Sequence, residues 1–195
     1  MRTFLAVFPP PETQAAAHAA GERLRAPADG GESKGFDGVS WVKAENLHYT
    51  LRFLGEIGED GARRAGEAAV RAAAAHPRFA ATLGALGAFP KNAPARVLWV
   101  GLAEGEGPFE ALAHSLDHEL KKVGFGAPDM PFSAHLTLGR VRNPGRDWRE
   151  RLAAAPSLEG VPDASFQVQG IRLIESTMSP RGSIYRVHVE APLKG

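Results

Sequence analysis

The chain has 195 residues, enough for one substantial domain, and its 44% hydrophobic and 23% charged residues exclude a disordered chain or a coiled coil. It has no cysteine, which excludes disulfides, thiolate metal sites and a cysteine nucleophile. The 23 Lys and Arg nearly balance the 22 Asp and Glu, so any nucleic acid would be held by a local basic cleft and not by an overall positive field.

Hydrophobic periodicity predicts short elements separated by glycine and proline. In chain order, these are a strand at 2–8, a helix at 11–25, a strand at 48–54, a helix at 60–75, a β-like stretch at 79–89, a strand at 96–102, a helix at 108–123, a strand at 135–141, a short helix at 147–155, and strands at 166–175 and 184–190. The glycine-rich loop at 28–38 is the most linker-like segment. Because no flexible tether divides the chain, we expect one domain over 1–195.

No apolar run approaches the roughly 18 residues that span a bilayer, and the short apolar start does not read as a signal peptide. We therefore expect a cytoplasmic protein that has no membrane partner.

The sequence contains an internal repeat. His48-Tyr49-Thr50-Leu51 matches His135-Leu136-Thr137-Leu138, and each copy follows a strand–helix unit and precedes a helix. A glycine in a β-like stretch follows each copy at a similar distance, at Gly84 and at Gly170. This duplication predicts two similar α+β lobes related by a pseudo-twofold axis, with the two histidine strands facing each other. Antiparallel sheets are favoured, because several connections between strands are too short for helical crossovers.

Each repeated motif sets a histidine and a threonine on the same face of a strand. Alternate side chains of a strand share a face, so His48 lies beside Thr50 and His135 beside Thr137. Two imidazoles, each with an unperturbed pKa of about 6.5, suit paired acid–base catalysis, and threonine hydroxyls can donate to phosphate oxygens. We interpret all four as catalytic residues. The alternatives are hydrogen-bonded structural histidines and threonines chosen as good strand formers.

The two motifs and their flanks resemble the two-histidine (2H) phosphoesterase superfamily, and within it the RNA 2′,3′-cyclic phosphodiesterase branch, also called the 2′-5′ RNA ligase family. The segments that carry the resemblance are 46–56 and 131–140 around the motifs, together with Phe4-Leu5-Ala6-Val7, Ala88-Phe89-Pro90 and Arg96-Val97-Leu98-Trp99. They cover nearly the whole chain. Tyr49, in place of a more usual aliphatic residue, and Gly139, in place of a larger one, depart from the family pattern.

The resemblance implies a bilobal α+β fold in which two antiparallel sheets form a central cleft with helices on the outside. It implies hydrolysis of RNA 2′,3′-cyclic phosphate ends to 2′-phosphomonoesters with no metal or other cofactor, and 2′-5′ ligation as the reverse reaction. By analogy, His135 is the base and His48 the acid, although the near-symmetry of the halves leaves this assignment open in the sequence. The implied partners are RNA ends, among them tRNA fragments, and nucleotides, and the expected state is a monomer.

Four further residues are candidates for substrate binding. The family commonly has a basic residue at the position of Arg140, but strict alternation would turn Arg140 away from His135 unless the strand twists, bulges or ends by Gly139. Arg52 has the parity to face the cleft beside His48. The alternative for both arginines is ordinary surface charge. Two aromatic residues are candidates for stacking on a base, with core packing as the alternative: Phe132 and Tyr185.

Two other functions remain open. One is hydrolysis of a small cyclic phosphate, such as a cyclic nucleotide or an ADP-ribose cyclic phosphate. The other is a binding module that holds RNA or a nucleotide without turnover. A metal site at His114 and His118 is disfavoured, because they lie opposite the apolar stripe of their predicted helix and belong to a solvated face.

Overall fold

The computed structural model describes residues 1–25, 38–91, 94–142, 148–180 and 182–195, so most of the predicted loop at 28–38 lies outside it. The helices are α1 (Pro11–Arg25), α2 (Glu59–Ala74), α3 (Glu106–Lys122) and α4 (Arg149–Ala154). The strands are β1 (Arg2–Val7), β2 (Val39–Trp41), β3 (Tyr49–Glu56), β4 (Phe79–Phe89), β5 (Val97–Glu104), β6 (Leu136–Val141), β7 (Ser165–Val168), β8 (Gly170–Ser179) and β9 (Gly182–Pro192). Most predicted elements are present, with ends that differ by a few residues.

The strands form two antiparallel lobes that meet at a single residue pair. The order across the sheet is β7-β4-β5-β6-β3-β1-β8-β9, and β2 pairs with β6. Between the lobes, β3 and β6 pair only through Tyr49 and Leu136, in antiparallel register. The predicted α+β class and the two lobes of antiparallel strands are therefore confirmed. The structure adds that β3 and β6 pair with each other and join the two sheets at their centre.

Strands from each half of the chain cross into the opposite lobe. β4 follows the first histidine motif but pairs with β5, whereas β8 follows the second motif and pairs with β1. This exchange corrects the prediction of one strand at 166–175. The chain leaves β7, paired with β4, and enters β8, paired with β1, so the strand breaks at Gln169. The three-residue strand β2 was also not predicted, because it is too short to show a period.

The helices cover one face of the sheet. α1 packs on β6, α3 on β3, and α2 on α3, β8 and β9. Tyr49, Leu51, Leu136 and Leu138 are buried beneath them. The predicted apolar stripe of α3 is buried in the same core, at Phe109, Leu112, Leu116 and Leu120. We call the opposite face of the sheet the cleft face; it carries a smaller apolar cluster of Phe4, Ala6 and Ile174, with Phe8 and Tyr185 packed against it.

Alanine and glycine let α2 approach the sheet closely. Its buried side is made of small residues, and Gly66 lies so close to β9 that a Cβ atom there would stand 2.7 Å from Val189 Cγ2. The lack of a side chain at Gly66 therefore allows α2 to pack closely against β9.

We predict that Gly66→Ala destabilises the protein by about 1–2 kcal/mol, because overpacking outweighs the gain of about 1 kcal/mol that alanine normally brings to a helix. Gly107 of α3, where an added Cβ would meet nothing within 4 Å, is the matched control. Gly107→Ala should be neutral or stabilising. Urea denaturation of both variants tests this, and a stabilised Gly66→Ala would contradict the prediction.

Candidate active site

A β-bulge follows each histidine motif at the same relative position. Along β1 and β3, Ala6 lies opposite Thr50 and Leu5 opposite Arg52, so Leu51 has no cross-strand partner. Along β5 and β6, Trp99 lies opposite Thr137 and Leu98 opposite Gly139, so Leu138 has none. An extra residue reverses the alternation of side chains beyond it. These two leucines, each directly after a His-x-Thr motif, therefore decide which later side chains reach the cleft face.

The first bulge turns Arg52 away from the cleft. Its guanidinium donates to Asp117 Oδ1 of α3 at 2.8 Å and to the Gly126 carbonyl oxygen at 2.6 Å, and the side chain is only 9% exposed. The prediction that Arg52 faces the cleft beside His48 is wrong, because it assumed unbroken alternation through Leu51.

The second bulge turns Arg140 towards the cleft. Arg140 is exposed, and its charge lowers the pKa values of both His48 and His135, which places it within electrostatic reach of both rings. Of the twist, bulge or strand end that this placement required, the structure shows a bulge, with Leu138, one position before Gly139, as the unpaired residue. Gly139 itself faces β2, where a Cβ atom would stand 2.6 Å from Val39 Cγ1.

The two histidines are oriented in the same way. His48 Nδ1 lies 2.6 Å from the Asn46 carbonyl oxygen, and His135 Nδ1 lies 2.8 Å from the Ser133 carbonyl oxygen. A carbonyl only accepts hydrogen bonds, so in each ring Nδ1 carries the hydrogen and donates it. Nε2 of each ring is left with the lone pair, and it is the nitrogen that can exchange a proton with a substrate.

The lobe junction brings the two motifs together. Tyr49 and Leu136, each the residue after a motif histidine, are the pair that joins β3 to β6. In this antiparallel register each histidine belongs opposite the threonine of the other motif. The pseudo-twofold axis thus passes through the junction. Thr50 and Thr137 are half-buried on the cleft face, as predicted.

The surroundings of both histidines favour the neutral imidazole in the free protein. Burial lowers the pKa of His48 to about 4, and the charges of His135 and Arg140 add to this against the opposing hydrogen bond to Asn46. Burial also lowers the pKa of His135, and Arg140 again contributes while the hydrogen bond to Ser133 opposes. A phosphate anion between the rings would act in the opposite direction and favour their protonated forms.

Each imidazole is surrounded by aromatic rings that were not predicted as site residues. Phe4 and Phe8 stack on His48 with ring centroids 4.7 and 5.2 Å away. Phe89 meets His135 edge-on at 5.2 Å, and Trp99 lies 6.5 Å from the same ring. The sequence did contain a signal for Phe4 and Phe8, because alternation along the predicted strand at 2–8 places both on the same face. These rings desolvate the imidazoles and so help to lower their pKa values.

The two predicted aromatic candidates are placed differently. The Tyr185 ring lies 5.5 Å from His48 and 5.2 Å from Phe4, so it belongs to the cleft face. Phe132 packs against the main core, with its ring 6.5 Å from that of Phe109. The expectation that Phe132 stacks a base in the cleft is therefore not met, because this ring is used on the helix side.

Other potential sites are not formed within the described ranges. No group of three or more His, Asp or Glu there could hold a metal ion. His114 and His118 are both exposed, as predicted for a solvated helix face. No helix in the described part of the chain is long and apolar enough to cross a membrane.

Comparison with known proteins agrees with this duplicated arrangement. The model of the family described as LigT like Phosphoesterase matches the chain twice, over residues 7–99 and 100–185. The chain belongs to the LigT-like phosphoesterase family. The two successive matches confirm the internal repeat.

Relatives match over most of their own length. A protein of Archaeoglobus fulgidus named RNA 2′,3′-cyclic phosphodiesterase is 39% identical over 80% of this chain and 84% of its own. A Thermotoga maritima protein of the same name is 31% identical over 100% of this chain and 97% of its own. The crystal structure of a Thermus thermophilus protein superposes with a TM-score of 0.80 at 29% identity, covering 100% of this chain and 99% of that one.

We predict that Arg52→Met lowers stability by about 1–3 kcal/mol while kcat/KM on the family's phosphodiester substrate changes little, because the guanidinium fastens α3 to β3 and does not reach the cleft. Denaturation and steady-state kinetics measure the two effects. Asp117→Asn should reproduce the loss of stability, and the double variant should lose less than the sum of the two. A tenfold or greater fall in kcat/KM for a folded Arg52→Met would instead indicate contact with substrate.

We predict that Arg140→Gln raises the pKa values of both His48 and His135, because removing a nearby cation favours the protonated imidazole. NMR titration of the ring protons measures both values. Arg140→Lys, which keeps the charge, should leave them near those of the wild type. Arg142→Gln removes an equal charge two residues further along and should shift them less. If Arg140→Gln and Arg142→Gln shifted the histidine pKa values equally, the effect would come from net charge alone and the prediction would be wrong.

Proposed function

We propose that the protein hydrolyses 2′,3′-cyclic phosphate ends of RNA to 2′-phosphomonoester ends without a metal, using His48 and His135 as a paired acid and base. One observation carries the proposal: two imidazoles lie on either side of a pseudo-twofold axis, and each donates from Nδ1 to a backbone carbonyl, which leaves the lone pair on Nε2 for the substrate. The names of the relatives supply the substrate, because both are called RNA 2′,3′-cyclic phosphodiesterases.

In the proposed reaction His135 Nε2 takes a proton from a water molecule, whose oxygen attacks the phosphorus. The bond from phosphorus to the 3′-oxygen breaks, and His48 Nε2 donates a proton to that oxygen. The products are a 2′-phosphomonoester and a free 3′-hydroxyl, and the proton on His135 is released to solvent before the next cycle. Each proton transfer contributes about 10²- to 10⁴-fold.

The remaining residues stabilise charge on the phosphate. Thr50 and Thr137 donate hydroxyl hydrogens to the two non-bridging oxygens, and the exposed Arg140 supplies a positive charge near both histidines. Substrate binding itself prepares the acid. The depressed pKa values favour neutral rings in the free protein, and a bound phosphate anion favours a proton on one of them; the proposal assigns that proton to His48 and leaves His135 neutral.

We also propose that residues 1–195 work as one domain, since each lobe is completed by strands from the other half of the chain. 2′-5′ ligation follows from the same residues in the same roles, with the 5′-hydroxyl of a second RNA in place of water. His135 takes the hydroxyl proton, the 5′-oxygen bonds to phosphorus, the bond from phosphorus to the 3′-oxygen breaks, and His48 donates a proton to that oxygen. Tyr185, next to His48, is a proposed substrate contact. A cytoplasmic location, a monomeric state, nucleotides as further ligands and tRNA fragments as the RNA stay predictions.

We predict that the wild type converts a short RNA with a 2′,3′-cyclic phosphate end to the 2′-phosphate in excess EDTA, and that His48→Ala and His135→Ala each lose about 10²- to 10⁴-fold in kcat. Chromatography against 2′- and 3′-phosphate standards identifies the product. Solvent-exposed His114→Ala is the matched control and should retain full activity.

Three results would count against the proposal. Activity that EDTA abolishes would indicate a metal, and a 3′-phosphate product would indicate that the other bond breaks. Tight RNA binding without turnover would favour the binding-module alternative. A mononucleoside 2′,3′-cyclic phosphate should also be tested as a substrate. If the protein acts on small cyclic phosphates instead of RNA ends, it should turn over this mononucleotide faster than the RNA.

A further inference from the structure

A buried glutamine holds the backbone just before the first histidine motif. Gln14 of α1 is 7% exposed, and its Nε2 donates to the Leu47 carbonyl oxygen at 2.8 Å and to the Glu45 carbonyl oxygen at 3.4 Å. These two residues lie on either side of Asn46, whose own carbonyl accepts from His48 Nδ1. The orientation of the His48 ring therefore depends on where this short segment is held.

The side chain of Asn46 fastens the same segment to the other half of the chain. Asn46 Nδ2 donates at 3.0 Å to the carbonyl oxygen of Ser183, 137 residues away in the sequence. A carbonyl only accepts hydrogen bonds, so the amide must present its NH2 group there. Ser183 lies on β9, the strand that carries Tyr185, whose ring is 5.5 Å from His48. Asn46 thus holds the imidazole through its backbone and β9 through its side chain.

The second motif differs at the equivalent position. Ser133 lies two residues before His135, as Asn46 does before His48, and its carbonyl oxygen likewise accepts from the imidazole, at 2.8 Å. Ser133 is exposed, however, and its hydroxyl makes no hydrogen bond to any residue that the structure describes. The two rings share one tautomer, but only at His48 is the orienting residue itself held by its side chain.

We propose that Asn46 is a positioning residue for the acid of the reaction. The inference rests on the proposed function, because it takes His48 to be that acid. Asn46 acts through His48 and not on the substrate: it accepts the hydrogen on Nδ1 and so keeps the ring turned with Nε2 available to the departing 3′-oxygen. An acid must lie within hydrogen-bond reach of the atom that it protonates, so a ring that is free to turn transfers its proton less efficiently.

The difference between the two motifs suits the different roles of the two histidines. The hydrogen bond from His135 to Ser133 is exposed, whereas the one from His48 to Asn46 is partly buried. A base that takes a proton from water and later releases it to solvent needs access to water. An acid that must deliver its proton to one oxygen of a bound substrate depends more on a fixed orientation. The fastened segment therefore belongs with the acid.

The kinetic test uses a short RNA with a 2′,3′-cyclic phosphate end and its 3′-thio analogue, in which sulfur replaces the departing 3′-oxygen. In both, the oxygen of water bonds to phosphorus and the bond from phosphorus to the 3′-atom breaks. A thiolate needs no proton to leave, because the pKa of a thiol is only about 8.5.

We expect Asn46→Ala to lower kcat on the oxygen substrate by about 10- to 100-fold, because misplacement of the acid slows proton transfer, while KM is unchanged. On the sulfur substrate, the rate of the variant should stay near that of the wild type. Ser133→Ala changes the equivalent residue of the second motif, whose hydroxyl is exposed, and it is the matched control. This control should keep full activity on both substrates.

NMR of the imidazole nitrogens tests the inference without turnover. In the free wild type, the hydrogen should reside on Nδ1 of both His48 and His135. In Asn46→Ala the ring of His48 should exchange between its two tautomers, because the tautomer is set by the hydrogen bond that is weakened. His135 of the same variant should not change, and it is the internal control for an intact fold.

Each outcome has a separate meaning. An unchanged His48 tautomer, a change at both rings, or a kcat equal to that of the wild type would overturn the inference. Equal losses on the oxygen and sulfur substrates, with only the His48 tautomer altered, would retain Asn46 as a positioning residue and overturn the assignment of His48 as the acid. Wild-type protein that hydrolyses neither substrate would overturn the proposed function, and the NMR comparison would still decide whether Asn46 orients His48.

Discussion

The unpaired leucine that follows each histidine motif is the constraint on which the site depends. A strand without a bulge would send Arg52 to the cleft face and Arg140 to the helix face. With Leu51 and Leu138 inserted between paired residues, the order is reversed in both strands. Both leucines remain buried with the core, so the bulges cost little apolar contact. The same bulge, present in both strands, therefore places the Arg140 cation on the cleft face and the partly buried Arg52–Asp117 ion pair on the helix face.

The lobes depend on each other for structure as well as for chemistry. A single residue pair joins their central strands, yet β4 and β8 each complete the lobe that is built on the other half of the chain. Within the lobe of β3, Arg52 connects the two halves of the chain, since it holds α3 against β3 through Asp117. The relative positions of the two histidine strands therefore depend on the exchanged strands as well as on the one junction pair.

Burial and charge act together on the histidines. Stacked and edge-on aromatic rings remove water from both imidazoles, and the nearby Arg140 disfavours a second positive charge. The hydrogen bonds from Nδ1 to backbone carbonyls raise the pKa values, but they offset the lowering only in part. Such a pair of histidines favours the uncharged form when no ligand is bound, and a bound anion favours the protonated form. The pair is thus poised for a negatively charged substrate by the same surroundings that orient it.

The sequence determined the parts of this protein that depend on local periodicity and on the repeat. The helix at 11–25, the α3 stripe, the two lobes and the shared face of each His-x-Thr motif all follow from spacing along the chain. Only the tertiary structure decided the rest. A bulge is defined by the neighbouring strand, so the positions of Arg52 and Arg140 required the pairing of β1 with β3 and of β5 with β6. The break at Gln169 and the place of Phe132 in the core likewise depend on which lobe a segment joins, and no single stretch of sequence contains that information.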